Sequence, residues 1–320
     1  MYYSLEQSDN FSTTVPSLTN AGTYTLYFYA AESANYLQST PTQSISVTIN
    51  KANPSYTAPQ GKDNLIYSGE AQELLIEGSS PDGIIKYSDD EGETWTTDIP
   101  EGTNAITYYP QWKVFGDSNH NDSTPTIITV SIAKVTPTVT APTIVSNLEY
   151  TGEAQNLLNN DGSTNFGTLQ YSSDNETFST TIPTGTNAGS YNIWYRVQGD
   201  SNINDVPSVK LTNSIAKVPA CYVAPTAATG LVYDESSHSL LNAGSSTCGT
   251  IQYSADGTNW SSNIPEGTNA GDYTSYWKVI GDSNHIDKPS ASIITNIDKA
   301  AGEIYTAPTP ITELVYNDTA

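Results

Sequence analysis

The stretch Thr186-Asn187-Ala188-Gly189-Ser190-Tyr191-Asn192-Ile193-Trp194-Tyr195-Arg196-Val197-Gln198-Gly199-Asp200-Ser201-Asn202 decides the fold. A turn cluster opens it. Tyr191, Ile193, Tyr195 and Val197 then alternate with Asn192, Trp194 and Arg196, and a Gly-Asp-Ser-Asn tetrad closes it. Period-two alternation between turn signals marks a strand with one buried face. The pattern returns where Tyr273, Ser275, Trp277 and Val279 alternate with Thr274, Tyr276 and Lys278, and a closing strand alternates through Ile128, Val130 and Ile132.

The same landmarks recur along the whole chain. Ala-Pro pairs fall at Ala58-Pro59, Ala141-Pro142, Ala224-Pro225 and Ala307-Pro308, each 83 residues after the last, and Tyr67, Tyr150, Tyr233 and Tyr316 keep that spacing. Ile-Pro recurs at Ile99-Pro100, Ile182-Pro183 and Ile264-Pro265. The tetrad recurs at Gly116 to Asn119, Gly199 to Asn202 and Gly281 to Asn284, and Lys51, Lys134, Lys217 and Lys299 close successive units. Three whole units follow, at 52–134, 135–217 and 218–299. They are flanked by a partial unit at 1–51 and the start of another at 300–320. Tyr2-Tyr3-Ser4 aligns with Lys86-Tyr87-Ser88, so the first unit lacks its opening strands and the chain reads as an excerpt of a longer array.

Further strand candidates are Leu65 to Tyr67, Ala71 to Ile76 and Ile84 to Ser88, separated by turn clusters at Asp89 to Glu93 and Pro100 to Asn104. Six or seven short strands in about 83 residues predict an all-β fold, tandem immunoglobulin-like antiparallel β-sandwiches. The period is too long for a propeller blade or a solenoid coil. The connector Ala52-Asn53-Pro54-Ser55-Tyr56-Thr57 holds proline and no glycine, so it favours extended backbone and belongs to the next unit's first strand. An elongated rod is the expected arrangement.

Composition narrows the function. Of 320 residues 36% are hydrophobic, with 22 Tyr against 5 Phe and a single Met, material for strands and polar turns rather than helices. A net charge of -23 repels phosphate backbones and anionic lipid, which argues against nucleic acid and membrane surfaces as partners. Arg196 is the one arginine. No stretch approaches the roughly 20 apolar residues of a membrane helix, and the N-terminus lacks the regions of a signal peptide.

Tyr67-Ser68-Gly69, Tyr150-Thr151-Gly152, Thr186 to Tyr191 and the Ser-Ile-Ala-Lys endings at 131–134 and 214–217 resemble the bacterial Ig-like repeats of MBG or YDG type. The likeness covers three units and both fragments. It implies a stalk or adhesin region of a large secreted or surface-anchored protein, with extracellular localisation. Tyr233-Asp234-Glu235 departs by lacking the glycine, and Ile106 replaces the glycine of the Asn-Ala-Gly turn. Ser88-Asp89-Asp90-Glu91-Gly92-Glu93-Thr94-Trp95 is similar to the Asp-box of sialidase-like propellers, and Ser254 to Trp260 is a shortened version. Asp and Gly there shape a hairpin turn that the aromatic pins to the sheet. A sialidase would need an arginine cluster, which one arginine cannot make.

Each candidate site has a structural counterpart reading. Asp89, Asp90, Glu91 and Glu93 offer oxygens for calcium, yet the third unit has only Asp174 and Glu176 there and the fourth only Asp256. His120 and His285 share a repeat position, followed by Asp122 and Asp287, whereas the third unit has Ile203 and Asp205; His238 stands alone. A turn role suits them better than metal ligation. Cys221 and Cys248 occur only in the fourth unit, as a single intradomain bridge or as two buried thiols. Tyr27, Trp194 and Tyr276 share an outward position, with Arg196 or Lys278 two residues on, while Gln111 takes the place in the second unit. These rings either stack on sugars of host glycans or surface proteins or pack beneath long side chains of the outer sheet.

No catalytic constellation recurs in all units, and no cofactor is implied. The expected function is a non-enzymatic spacer, monomeric within a larger chain, that projects other domains outward. The alternative is a carbohydrate-binding array using rings such as Trp194.

Overall fold

The computed structural model describes residues 1–8, 10–40, 42–303 and 306–318. Part of the final stub, at 304, 305, 319 and 320, therefore lies outside the described residues. Every described element is a strand, and no helix is long and apolar enough to cross a membrane. The chain divides into two compact units. One holds Met1–Thr140, Ser163–Gln170 and Arg196–Ser208; the other holds Ala141–Gly162, Tyr171–Tyr195 and Val209–Ala320.

In the first unit, the partial repeat is a three-stranded antiparallel sheet in which Gly22–Tyr29 lies between Tyr2–Ser4 and Gln43–Ile49. The second repeat builds two three-stranded sheets beside two short two-stranded pairs. Gln111–Gly116 pairs with Gly83–Ser88 and Thr126–Ile127, while Val130–Ala133 pairs with Thr107–Tyr108 and, in parallel, with Leu65–Ile66. Tyr87, Trp112 and Val114 from one sheet meet Val130 and Ile132 from the other in a single core closed by Leu74 and Leu75. Two sheets sharing one core make the sandwich that the alternation predicts.

In the second unit, Leu148–Glu149 runs parallel to the end of Val206–Ala216, and in the fourth repeat Gly271–Gly281 lies between Gly249–Ser254 and Lys288–Ile297. Of the inward set, Ile193, Val197, Ser275, Trp277 and Val279 are buried, while Tyr191, Tyr195 and Tyr273 are half-buried. Burying a side chain of Leu, Ile or Val size contributes roughly 1.5–3 kcal/mol, so a handful of such positions holds each repeat together.

Three local features go beyond the alternation. The segment Ala71 to Ile76 is two strands rather than one, because Gln72–Glu73 pairs with Glu101–Gly102 and Leu75–Ile76 pairs with Gln60–Gly61. Leu74 is the crossing point: its N–H donates to Pro100 O at 2.8 Å and its carbonyl accepts from Lys62 N at 2.8 Å. Two consecutive buried leucines mark the same crossing at Leu157-Leu158 and Leu240-Leu241. Secondly, the second repeat has ten strand segments, several of two residues. Pro110, which lacks an N–H, divides there what is continuous in Gly189–Gln198 and Gly271–Gly281. Thirdly, parallel pairings join the otherwise antiparallel set, where the opening segment of a repeat lies beside its closing strand.

The two sequence departures resolve differently. Glu235 takes a positive φ of 69° where Gly69 and Gly152 take 86° and 85° in their repeats, so that turn stays left-handed without glycine. Ile106 does not take the positive φ of Gly22 and Gly189, and its N–H turns back onto Asn104 O at 2.9 Å.

Leu157→Ala removes a side chain that is only 1% exposed. Guanidinium denaturation should show a loss of about 2–5 kcal/mol, and an unchanged midpoint would contradict its place in the core.

Candidate functional site

The arrangement that recurs most faithfully lies where one repeat follows another. It begins with a glycine. An added Cβ at Gly102, Gly185 or Gly267 would sit 2.7 or 2.8 Å from the ring of Tyr108, Tyr191 or Tyr273, so only glycine leaves room for that ring. The tyrosine hydroxyl then holds the Asn-Ala turn. Tyr108, Tyr191 and Tyr273 donate to the carbonyls of Asn104, Asn187 and Asn269 at 2.7–3.0 Å, and Tyr24 does the same for Asn20 at 2.9 Å.

Into each turn so fixed reaches the asparagine of the following repeat's Gly-Asp-Ser-Asn loop. Asn119 Oδ1 accepts from Ala21 N at 2.8 Å, Asn202 Oδ1 from Ala105 N at 2.7 Å and Asn284 Oδ1 from Ala188 N at 2.8 Å. The amide nitrogens donate to the side chains of Asn20, Asn104 and Asn187 at 3.4, 3.1 and 3.3 Å. The tetrad's aspartate aims this amide: Asp117, Asp200 and Asp282 each accept from the N–H of Asn119, Asn202 and Asn284 at 2.7–2.8 Å, an Asx turn. A second aspartate ties down the loop's glycine. Asp122, Asp205 and Asp287 accept from Gly116, Gly199 and Gly281 N–H at 2.8–3.0 Å.

The closing lysine completes the joint. Lys51 donates to Asp117 O at 2.9 Å, Lys134 to Asp200 O at 2.7 Å and Lys217 to Asp282 O at 3.1 Å. The residue after it pairs with the same loop, as Ala52 N donates to Asn119 O at 2.9 Å and Ala52 O accepts from Asn121 N at 2.8 Å. Val135 and Val218 make the corresponding bonds to Asn202 O and Asn284 O at 3.1 and 3.2 Å. His120 and His285 belong to this loop, with Nδ1 at 2.7 and 2.6 Å from Asp117 and Asp282. Ring contacts add to two joints, Tyr67 with Phe166 and Tyr150 with His285. Hydrogen bonds hold Asp117 and Asp282 below the usual carboxylate range, chiefly from Asn119 N–H in the first and from His285 in the second. His238 stands apart, its Nε2 2.9 Å from Asp234.

The acidic run adopts the hairpin geometry. Ser88 donates to Asp90 at 2.6 Å, Gly92 N donates to Ser88 Oγ at 2.9 Å, Thr94 N donates to both Asp90 oxygens at 3.0 Å, and Trp95 Nε1 donates to Gly92 O at 3.0 Å. Ser172 with Asp174 and Ser254 with Asp256 repeat the core of this network. The bonds from Ser88 and Thr94 bring Asp90 down to about 2, those from Ser172 and Glu176 N–H bring Asp174 to about 2, and bonds led by Asn259 N–H lower Asp256 further. Asp89, Glu91 and Glu93 are exposed. Asp89 borders an open cleft of about 700 Å³ shared with Glu73, Glu77, Asp98 and Glu101. Among the described residues no group of three or more His, Cys, Asp or Glu is placed to hold a metal ion.

The outward rings are half-buried. Lys210 lies 5.3 Å from the Trp194 ring centre, and Tyr276 covers Gly257 of the hairpin turn. The cation two residues on is similarly engaged: Lys278 lies 4.3 Å from the Trp260 ring centre, Lys113 4.0 Å from Phe115, and Arg196 donates to Gln170 Oε1. Tyr27 pairs with Ser4 and Ser44 across its sheet. Cys221 and Cys248 form a disulfide with Cα atoms 5.3 Å apart, tying the fourth repeat's opening segment to the start of Gly249–Ser254.

No family model and no curated protein sequence matches the chain. Among solved structures it is similar to fibronectin(III)-like modules of Clostridium thermocellum CbhA, at 15% identity and a TM-score of 0.21, over 54% of this chain and 100% of that one. It is also similar to domains 1–6 of the surface layer protein SbsC, at 12% identity and a TM-score of 0.23, over 94% of this chain; this chain spans 50% of that one. Superposition this loose carries no inference about function.

Two outcomes test the geometry. Asp90 should titrate near pH 2 by carboxyl carbon NMR, and Ser88→Ala should move it up toward the usual value of about 3.9. Because the folded value is depressed, the turn's contribution is complete above about pH 4 and fades as pH falls through about 2. Asn284→Ala should speed hydrogen exchange of the Ala188 N–H by roughly tenfold while Ile193 keeps its protection, whereas equal rates would mean that the amide does not hold the turn.

Proposed function

We propose that this chain is a non-enzymatic spacer segment of an extracellular bacterial protein, secreted or carried on the cell surface, in which tandem sandwich repeats project other domains outward. The observation that carries this reading is the joint. The same glycine, tyrosine, asparagine and lysine roles recur where successive repeats meet, so each repeat is fixed against the next. A spacer requires that fixation, whereas a chain of independent binding modules would function with loose linkers. The Cys221–Cys248 bridge supports an oxidising compartment. Kinship with MBG or YDG-type repeats belongs to the same reading, through the residues quoted for it above.

The carboxylates with the lowest pKa values serve their own turns, which supports a structural rather than a catalytic role for them. The glycan-binding alternative has weaker support, because Lys210 and the hairpin turn already engage Trp194 and Tyr276. Host glycans or surface proteins remain the partners that reading would require, with nucleic acid disfavoured by the charge of -23.

The test anchors the chain to a surface at one end and carries an epitope at the other. Deleting residues 135–217 should lower the epitope by roughly 35–40 Å, the advance of one repeat with strands of six or seven residues plus loops. An unchanged height would refute the spacer role. Glycan-array signal lost in Trp194→Ala would favour the alternative instead.

A further inference from the structure

The segment by which the chain enters a complete repeat is tied down by a different chemistry in each copy. Ser55, Thr138 and Cys221 follow one another at intervals of 83 residues. In the second repeat Ser55 N–H donates to Asp82 Oδ2 at 2.7 Å, and in the third Thr138 N–H donates to Asn165 Oδ1 at 2.7 Å. In the fourth the tie is covalent. Cys221 is bonded to Cys248, 27 residues further on, the same separation as Ser55 from Asp82.

These ties differ in what they do when the chain is pulled. In the second repeat, tension entering at Ala52 passes Ser55 and runs on along the opening segment to Leu65-Ile66, which lies parallel to Ile132-Ala133 at the exit. Pulling the ends apart draws these two neighbours in opposite directions. Their pairing is two residues long, with Tyr67 N–H to Ala133 O at 2.9 Å beyond it. The corresponding contact of the fourth repeat is shorter still, Val232 bridging Asp298 and Tyr233 N–H donating to Asp298 O at 2.9 Å.

The disulfide takes that contact out of the path. Once the short parallel pairing of Val218–Pro219 with His285–Ile286 gives way, tension reaches Cys221, crosses to Cys248 and passes directly into Gly249–Ser254. Residues 222–247 then carry none of it. The force leaves through Lys288–Ile297. Both strands are antiparallel to Gly271–Gly281, which lies between them, so they run parallel to each other. Drawn from the start of one and the end of the other, they slide in opposite directions against the shared central strand. One ladder extends from Gly249 opposite Gly281 to Ser254 opposite Tyr276, and the other from Gly271 opposite Ile297 to Val279 opposite Lys288. Bonds strained by sliding must yield together, whereas bonds strained from one end yield one at a time. Trp277 and Val279 of the central strand are buried, so sliding also breaks the core.

We propose that the Cys221–Cys248 bridge reroutes tension in the fourth repeat, from the short contact of the opening segment into the ladders of the central strand, and makes this repeat the last to open when the chain is stretched. The inference goes beyond the spacer reading. It stands on the topology of single repeats, so either can fail without the other.

Single-molecule stretching of the full chain, held at its two ends, tests this. An unbridged repeat of 83 residues releases roughly 300 Å of chain on opening, and the bridge withholds 27 residues, roughly 95 Å. The fourth repeat's step is thus the short one that a thiol reductant abolishes. It should come last, and at fixed tension it should occur at least about tenfold more slowly than any step of the reduced chain, because forced opening follows the unfolding rate. Ser55→Cys with Asp82→Cys installs the bridge at the equivalent place in the second repeat. It should convert one long step into a second short, slow one. A bridged step that precedes the long ones, or that is no slower than the slowest step of the reduced chain, would overturn the proposal in either repeat.

Discussion

The side-chain amide of one asparagine per repeat sets the relation between neighbouring repeats. It can do so because its own position is overdetermined. An aspartate two residues earlier turns the backbone, a second aspartate holds the loop's glycine, and a lysine from the preceding repeat holds the loop's carbonyl. The receiving turn is fixed separately, by a tyrosine whose ring needs a glycine beneath it. Each hydrogen bond is worth about 0.5–1.5 kcal/mol, less where water competes. A joint of half a dozen such bonds is therefore weaker than a core of buried leucine, isoleucine and tryptophan, where every large side chain contributes more. The division of labour follows from those magnitudes: burial makes each repeat, and the polar joint orients it.

The carboxylates illustrate how perturbed acidity can mislead. A strongly lowered pKa in a cleft ordinarily suggests chemistry. Asp90, Asp174 and Asp256 are lowered because hydroxyls and backbone N–H groups of their own hairpins converge on them, and the same device appears once in each complete repeat. The outward aromatics follow the same logic. Cations at equivalent positions of the strand, Lys113 and Lys278, cover the rings beside those hairpins, so the outer sheet face is itself a packed surface.

Much of this was legible in the residues. Alternation placed Ile193, Val197, Trp277 and Val279 inward and Trp194 and Tyr276 outward. Other features were not, for identifiable reasons. The crossing at Leu74 breaks the alternation with two adjacent buried leucines, which a period-two reading merges into one strand. The interruption at Pro110 depends on a ladder bond that proline cannot donate, and parallel pairing leaves no local mark at all.

The sequence by itself determined the repeat length, the all-β character, the inward face of each main strand and the landmarks at which every unit turns. Those follow from local periodicity and turn chemistry, which neighbouring residues carry among themselves. Which landmark meets which was decided only by the tertiary structure. Ala188 and Asn284 lie 96 residues apart, more than one full period, and nothing local to either encodes the other. Their meeting depends on how the end of one folded repeat presents its turn to the loop of the next, a geometry that exists only once both cores have formed.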